Sequence, residues 1–191
     1  MQKPLSGMTI AVLIANGFDE TPFISMQRRL QETGATLKII SSNQGLVNGW
    51  SQGGWGHNYA VDAQLNTALG VDYDALVIPG GERSLEKLKT TAHTRRFIGS
   101  FMSADKPVAV MGDALDIMAH AEQLDGRTVS GDTVMKDLAV RSASQWNDEG
   151  MMLDQALLTG KCDSESLNGY IDSMIALFTE HTDHNLMDQA A

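Results

Sequence analysis

A single cysteine, Cys162, stands in 191 residues, so no internal disulfide can form. A disulfide-stapled secreted domain is thereby excluded, and a reducing compartment is consistent with the usage. Basic residues are scarce too, with 14 Lys and Arg against 24 Asp and Glu and a formal charge of −10. Phosphate backbones and anionic lipid are gripped by Lys/Arg patches that release counterions or meet headgroups, so neither nucleic acid nor a membrane surface is an expected partner. Long apolar runs are absent as well. The longest near the start, Ile10-Ala11-Val12-Leu13-Ile14-Ala15, is too short to span a bilayer and lacks the basic region and cleavage site of a secretory signal. A cytoplasmic protein is expected. What is present, 42% apolar and 20% charged residues, is the composition of one globular domain. A chain of this length buries about 70% of its unfolded surface. The domain is expected to occupy 1–191, with a core over about 8–178 and a frayed tail from His181.

Ile10 to Ala15 is continuously apolar and ends at Asn16-Gly17, which suits a strand buried on both faces of a parallel sheet. Thr21-Pro22 reads as an N-cap and first helical position, with Phe23, Met26 and Leu30 on one face and Gly34 as the stop. Thr36 to Ser41 is a second strand, and Gly45 to Val61, rich in Gly, Asn and Trp, reads as a hairpin. Ala75 to Ile78 is a third strand, closed by Pro79-Gly80-Gly81. A helix bearing Phe97, Ile98, Phe101 and Met102 precedes the strand Val108 to Met111, and Gly112-Asp113 turns the chain into an apolar helix over Ala114 to Leu124. Thr128 to Ser130 reads as a short strand, Met151 to Leu153 and Ala156 to Thr159 as a late strand pair, and Leu167 to Phe178 as a final amphipathic helix. Strands and helices alternate with no internal repeat, which predicts a flavodoxin-like three-layer α/β/α sandwich with a mainly parallel sheet.

Ligands of such sheets bind at the carboxyl ends of the strands, and three segments converge there: Asn16 to Glu20, Pro79 to Gly81, and Gly112 to Ala114. The Gly80-Gly81 pair lets backbone N–H groups face an anion, and the turn after Met111 places Gly112 or Asp113 where a nucleophile elbow presents its side chain. The same glycines also suit plain strand termination. A ligand crevice formed by Asp19, Glu20, Gly80, Gly81 and Asp113 is the expectation, with Asp113 either chemically active or a helix cap.

The succession Gly17-Phe18-Asp19-Glu20, Gly49-Trp50, Trp55-Gly56, Val61-Asp62, Asp72 to Gly81, Lys106-Pro107-Val108-Ala109 and Leu124 to Val129 resembles the DJ-1/PfpI (ThiJ) family. Within the class I glutamine amidotransferase-like superfamily, the likeness is to the intracellular-protease-like branch. The family's chemistry rests on an elbow Cys, usually followed by His, Gly and Pro, and on a Glu near the start of the first helix. The resemblance puts Gly112 at the Cys position, Asp113 at the His position and Ala114 at the next Gly, with Pro22 at the acidic partner's place. A glycine has no nucleophile and a proline accepts no thiol proton. The resemblance thus implies a fold without the family's thiol chemistry: no catalytic residue and no cofactor or metal. The turn also resembles the C-terminal domain of large-subunit catalases, which lacks the elbow Cys as well and is taken as structural.

Three readings of function follow: a pseudoenzyme with a binding, assembly or stress-related role, a hydrolase or lyase using Asp113, Asp19 and Glu20 as acids and bases, or a structural domain like the C-terminal domain of large-subunit catalases. Family members form dimers or hexamers, so a homo-oligomer is implied; its small-molecule ligand is left open. The hairpin's Trp50, Trp55, His57 and Tyr59 either pack on its own core or anchor a second copy, and Trp50 and Trp55 are assigned to the oligomer contact. Cys162, two residues beyond the last strand, is expected to be inert. His93 is expected in a loop, His120 at a helix boundary, and the His181/His184 pair with Asp183 too weakly supported to hold a metal.

Overall fold

The computed structural model describes residues 3–189, with side chains as far as Thr182. Along the chain run β1 (Thr9–Leu13), β2 (Phe18–Asp19), α1 (Glu20–Glu32), β3 (Thr36–Ser41), β4 (Leu46–Ser51), β5 (Gly54–Ala60), β6 (Ala63–Gln64) and β7 (Ala75–Ile78). Then come α2 (Glu82–Lys89), α3 (Ala92–Ser103), β8 (Val108–Met111), α4 (Leu115–His120), β9 (Thr128–Val129), α5 (Lys136–Arg141), β10 (Gln145–Trp146), β11 (Met151–Asp154), β12 (Leu157–Gly160) and α6 (Leu167–Gln189).

Seven strands form the central sheet in the order β11-β12-β8-β7-β1-β3-β6, and every pair is parallel except β11 with β12. The period-two alternation of a strand explains both helical layers. Ala11 and Leu13 of β1, Leu76 and Ile78 of β7, and Val108 and Val110 of β8 meet Leu85 and Leu88 of α2, Phe97, Ile98 and Phe101 of α3, and Leu115 and Ile117 of α4. Ile10, Val12, Ala75, Val77, Ala109 and Met111 face the other way, onto Phe23, Met26 and Leu30 of α1 and Tyr170, Ile171, Met174 and Phe178 of α6. Burying each such Phe contributes about 2 kcal/mol. The fully buried Tyr170 satisfies its hydroxyl by donating to Val110 O at 2.7 Å and Leu158 O at 3.2 Å, which ties α6 to β8 and β12.

Several elements differ from the sequence expectation. Helix α1 starts at Glu20, two residues before Pro22, and Asp19 stands at the N-cap without making a side-chain cap bond. Pro22 is tolerated because first-turn N–H groups have no intrahelical acceptor. His93 lies in the first turn of α3, its N–H bonded to Thr91 Oγ1 at 3.3 Å, and not in a loop. Helix α4 stops at the exposed His120, earlier than Leu124. The short β9 leaves the main sheet to pair with β10. Helix α6 runs on to Gln189, past Phe178 where the sequence expectation ended it, and residues 190–191 of the expected frayed tail lie outside the described residues. Side chains of Asp183 and His184 lie outside the described residues.

The hairpin of β4 and β5 joins β2 in a separate three-stranded sheet, with a bulge between Asn48 and Trp50. Its inner side is intrachain core: the Tyr59 ring packs edge-on against Phe18 at 5.5 Å and Phe23 at 5.0 Å. Its outer side carries Trp55, 60% exposed, edge-on to Trp50 at 5.1 Å, with the Arg83 guanidinium 4.2 Å above the Trp50 ring. Among the described residues no helix is long and apolar enough to cross a membrane.

Candidate functional site

Three chain segments meet above the carboxyl ends of β1, β7 and β8. Gly81 adopts φ 120°, and the Asp19 N–H donates to Gly80 O at 2.8 Å, so the 79–81 loop is pressed directly onto the backbone before α1. The turn after β8 is a single 3-10 turn, Gly112–Ala114, with Gly112 at φ 56°. Between these segments opens a cleft of about 310 Å³ lined by Asp19, Pro22, Gly80, Met111, Gly112 and Asp113, and closed by Asp132, Cys162 and Asp163.

Of the five expected crevice residues, Asp19, Gly80 and Asp113 line this cleft, and Gly81 reaches it through its N–H, which donates to Asp113 Oδ1 at 2.9 Å. A Cβ on Gly80 would overlap Asp113 Oδ1 and lie 3.1 Å from Asp19 Oδ2, so both carboxylates crowd one spot. Glu20 is not there, which corrects the expectation. At the first turn of α1 consecutive side chains diverge, and Glu20 turns back under the hairpin, where it is 3% exposed. Its Oε1 accepts the His57 backbone N–H at 2.7 Å and the Tyr59 hydroxyl at 2.8 Å, and lies in hydrogen-bond contact with His57 Nδ1 at 2.8 Å. Gly56 and Gly49 make the space: a Cβ on Gly56 would overlap Glu20 Oε2, and one on Gly49 would lie 2.7 Å from Glu20 Cβ.

Asp113 does not cap its own helix as a side chain reaching the next turn would. Its carboxylate is held by the Gly81 N–H. Burial pushes its carboxyl above the usual range, the backbone N–H groups of Gly81 and Asp113 oppose that rise, and Asp116 and Asp132 add to it. Asp19 rises from 3.8 to about 6, through burial first and the Asp113 charge second. The folded state therefore holds that proton more tightly than the unfolded chain, and this contribution to stability is lost as pH rises from about 4 to about 6. Asp19→Asn is expected to stabilise the protein by about 1 kcal/mol near pH 7.5, after discounting for solvent screening, and by nothing near pH 4. Urea midpoints at the two pH values check this; a destabilised variant at the higher pH would refute it.

Cys162, Asp132 and Asp163 were not assigned to the crevice from sequence. The signal that places Cys162 is strand pairing: β12 lies parallel beside β8 with Gly160 opposite Met111, so Cys162 arrives alongside the Gly112 turn. Burial pushes its thiol up to about 12, and Asp132, Asp163 and Asp113 add to a rise that a Gly112 backbone hydrogen bond only partly offsets. A thiol so placed stays protonated at neutral pH and is a poor nucleophile. Among the described residues, no group of three or more His, Cys, Asp or Glu side chains could hold a metal ion.

Residues 8–168 match the DJ-1/PfpI family. The chain belongs to that family. It is 28% identical over 156 residues to General stress protein 18 of Bacillus subtilis, covering 81% of this chain and 89% of that protein. With Deglycase PfpI of Pyrococcus furiosus it shares 27% identity over 147 residues, 77% of this chain and 86% of the deglycase. Catalase HPII of Mycobacterium avium is 28% identical over 145 residues, 76% of this chain but only 20% of the catalase. In three dimensions, the DJ-1/PfpI chain superposes on the ThiJ/PfpI domain protein of Brachyspira murdochii with a TM-score of 0.80 at 18% identity, covering 92% of this chain and 98% of that one.

Proposed function

We propose that this DJ-1/PfpI protein is a cytoplasmic, stress-related protein that acts by binding or assembly and not by thiol catalysis. The observation that carries the reading is the turn after β8, where Gly112, the residue that the family resemblance puts at the elbow, has φ 56° and nothing within 4 Å of the point a Cβ would occupy. On this reading the turn that would present a nucleophile carries none. The one thiol in the cleft, Cys162, is driven toward its protonated form. Membership of a family that includes a general stress protein supports the role, while the deglycase relatives define the activity to test.

A second reading rests on Asp19 and Asp113, two carboxylates of one cleft, the first with a pKa near neutrality and so suited to general acid–base work. The test is turnover of glyoxals, glycated amines, peptides and esters by the wild type, Cys162→Ser and Asp19→Asn. No turnover above a heat-inactivated control is expected. Turnover that survives Cys162→Ser but disappears in Asp19→Asn would replace the binding reading with the carboxylate one.

The assembly we propose is a homodimer, or a hexamer built from such dimers, with Trp55 and Trp50 at or beside the contact. The 60% exposure of Trp55, its support by Trp50 and the Arg83 guanidinium over Trp50 favour an anchor role. Trp55→Ala is expected to weaken association by about 2 kcal/mol, read by light scattering. A wild type that is monomeric at tens of micromolar, or a variant with unchanged assembly, would return both tryptophans to intrachain packing.

A further inference from the structure

The cleft's inward-facing backbone donor is already occupied from within. Gly81 N–H reaches the cleft from a loop hydrogen-bonded to the backbone before α1, and Asp113 Oδ1 accepts it at 2.9 Å. The Asp113 N–H also favours the charged form of the same carboxylate. A backbone N–H aimed into a concave site is ordinarily a place for an anionic ligand oxygen. Here a side chain of the chain itself supplies that oxygen. The surrounding charges do not explain its position, because the groups facing Asp113 are Asp19 before α1, Asp116 on α4, Asp132 before α5 and Cys162 after β12, all repulsive or neutral. Those like charges act against the carboxylate's being there, and the Gly81 N–H holds it.

We propose that Asp113 is the specificity-determining residue of this cleft, an internal anion that takes the Gly81 donor and so excludes small carboxylates and phosphates, leaving the site to neutral or cationic ligands. The inference rests on the reading of the cleft as a ligand site and names the class it admits. An incoming carboxylate would need to displace a tethered one whose effective concentration is far higher, and would do so facing Asp19 and Asp132. Removing Asp113 while neutralising Asp19 should uncover the donor.

The experiment compares Asp19→Asn with the double variant Asp19→Asn/Asp113→Ala, using sodium formate as the probe and sodium chloride as the ionic-strength control. Formate replaces the carboxylate that the Ala variant lacks. Binding is read from the backbone amide resonance of Gly81. The double variant is expected to show a saturable Gly81 shift with formate and an affinity at least about tenfold above that of Asp19→Asn, a difference of about 1.4 kcal/mol. Equal affinity in the two proteins, or no Gly81 shift in a folded double variant, overturns the proposal. Should the double variant not fold, the wild type decides: its Gly81 amide resonance is expected to move with the ionisation of the Asp113 carboxyl, followed by its own carbon resonance, and a Gly81 signal indifferent to that ionisation overturns it. Turnover by the wild type would sink the non-catalytic reading and leave this one standing. Formate bound at Gly81 in the wild type would do the reverse.

Discussion

Glu20→Ala is expected to lower stability by about 3 kcal/mol, although Glu20 is a surface-type residue beside the cleft and not in it. One buried carboxylate oxygen makes three hydrogen-bond contacts with the hairpin, two with His57 and one with Tyr59. Hydrogen bonds to a charged group are worth more than neutral ones, and deleting the acceptor strands its donors. Water can reach the exposed His57 and recovers part of the loss, while the half-buried Tyr59, its ring packed against Phe18 and Phe23, loses the acceptor of its hydroxyl. The space between Gly49 and Gly56 would also be left unfilled. Glu20→Gln keeps an acceptor oxygen and should lose about half as much. Burial alone would raise the Glu20 pKa, yet the bonds from His57 and Tyr59 outweigh it and hold the carboxyl below 4.5. Its contribution is therefore complete above that value and lost as pH falls through the lowered one, so the gap between wild type and Glu20→Gln should narrow in acid. Urea unfolding across that range is the measurement; a Glu20→Ala loss below about 1 kcal/mol near pH 7 would show that the hairpin is held by its aromatic contacts alone.

Gly81→Ala is expected to cost about 4 kcal/mol, the largest effect of any small substitution around the cleft. Gly81 has φ 120°, a region closed to side chains, and an added Cβ would meet Asp19 N at 2.6 Å, Gly17 O at 2.8 Å and Phe18 Cα at 2.8 Å. All three are backbone atoms, so no rotamer change relieves the clash. The 79–81 loop would have to lift away from 17–19, breaking the Asp19 N–H to Gly80 O bond and drawing the Gly81 N–H off Asp113. Gly112→Ala is the control, since its Cβ meets nothing and only the positive φ of 56° opposes it, for about 1 kcal/mol. Thermal and urea denaturation of the pair check the contrast. Equal losses would mean that the 79–81 loop yields easily.

The layered fold was legible in the sequence because it depends on local signals. Continuous apolar runs at Ile10 to Ala15, Ala75 to Ile78 and Val108 to Met111 identify doubly covered strands, and Phe23, Met26 and Leu30 mark the buried stripe of α1 whatever the neighbours are. The convergence of 16–20, 79–81 and 112–114 followed from the same alternation, since parallel strands deliver their carboxyl ends to one edge. The weak signals failed at two-residue strands such as β9 and at the continuation of α6 past Phe178, where helix propagation adds one backbone hydrogen bond per residue fixed.

Which carboxylate faces which neighbour was settled only by tertiary structure. Asp19 and Glu20 are adjacent and chemically alike, so nothing local distinguishes the one that enters the cleft from the one that turns under the hairpin. The choice depends on Gly49 and Gly56, some 30 residues away, which leave room for Glu20. Cys162 reached the cleft through the pairing of β12 with β8, a long-range register that no spacing in the chain encodes. Sequence by itself determined the sheet, its two helical coats and the edge where a ligand can lie, because side-chain period and backbone stops act over a few residues. Tertiary structure alone decided the charge and hydrogen bonding inside that edge, because burial, Coulomb repulsion and donor access arise only when distant segments are packed together.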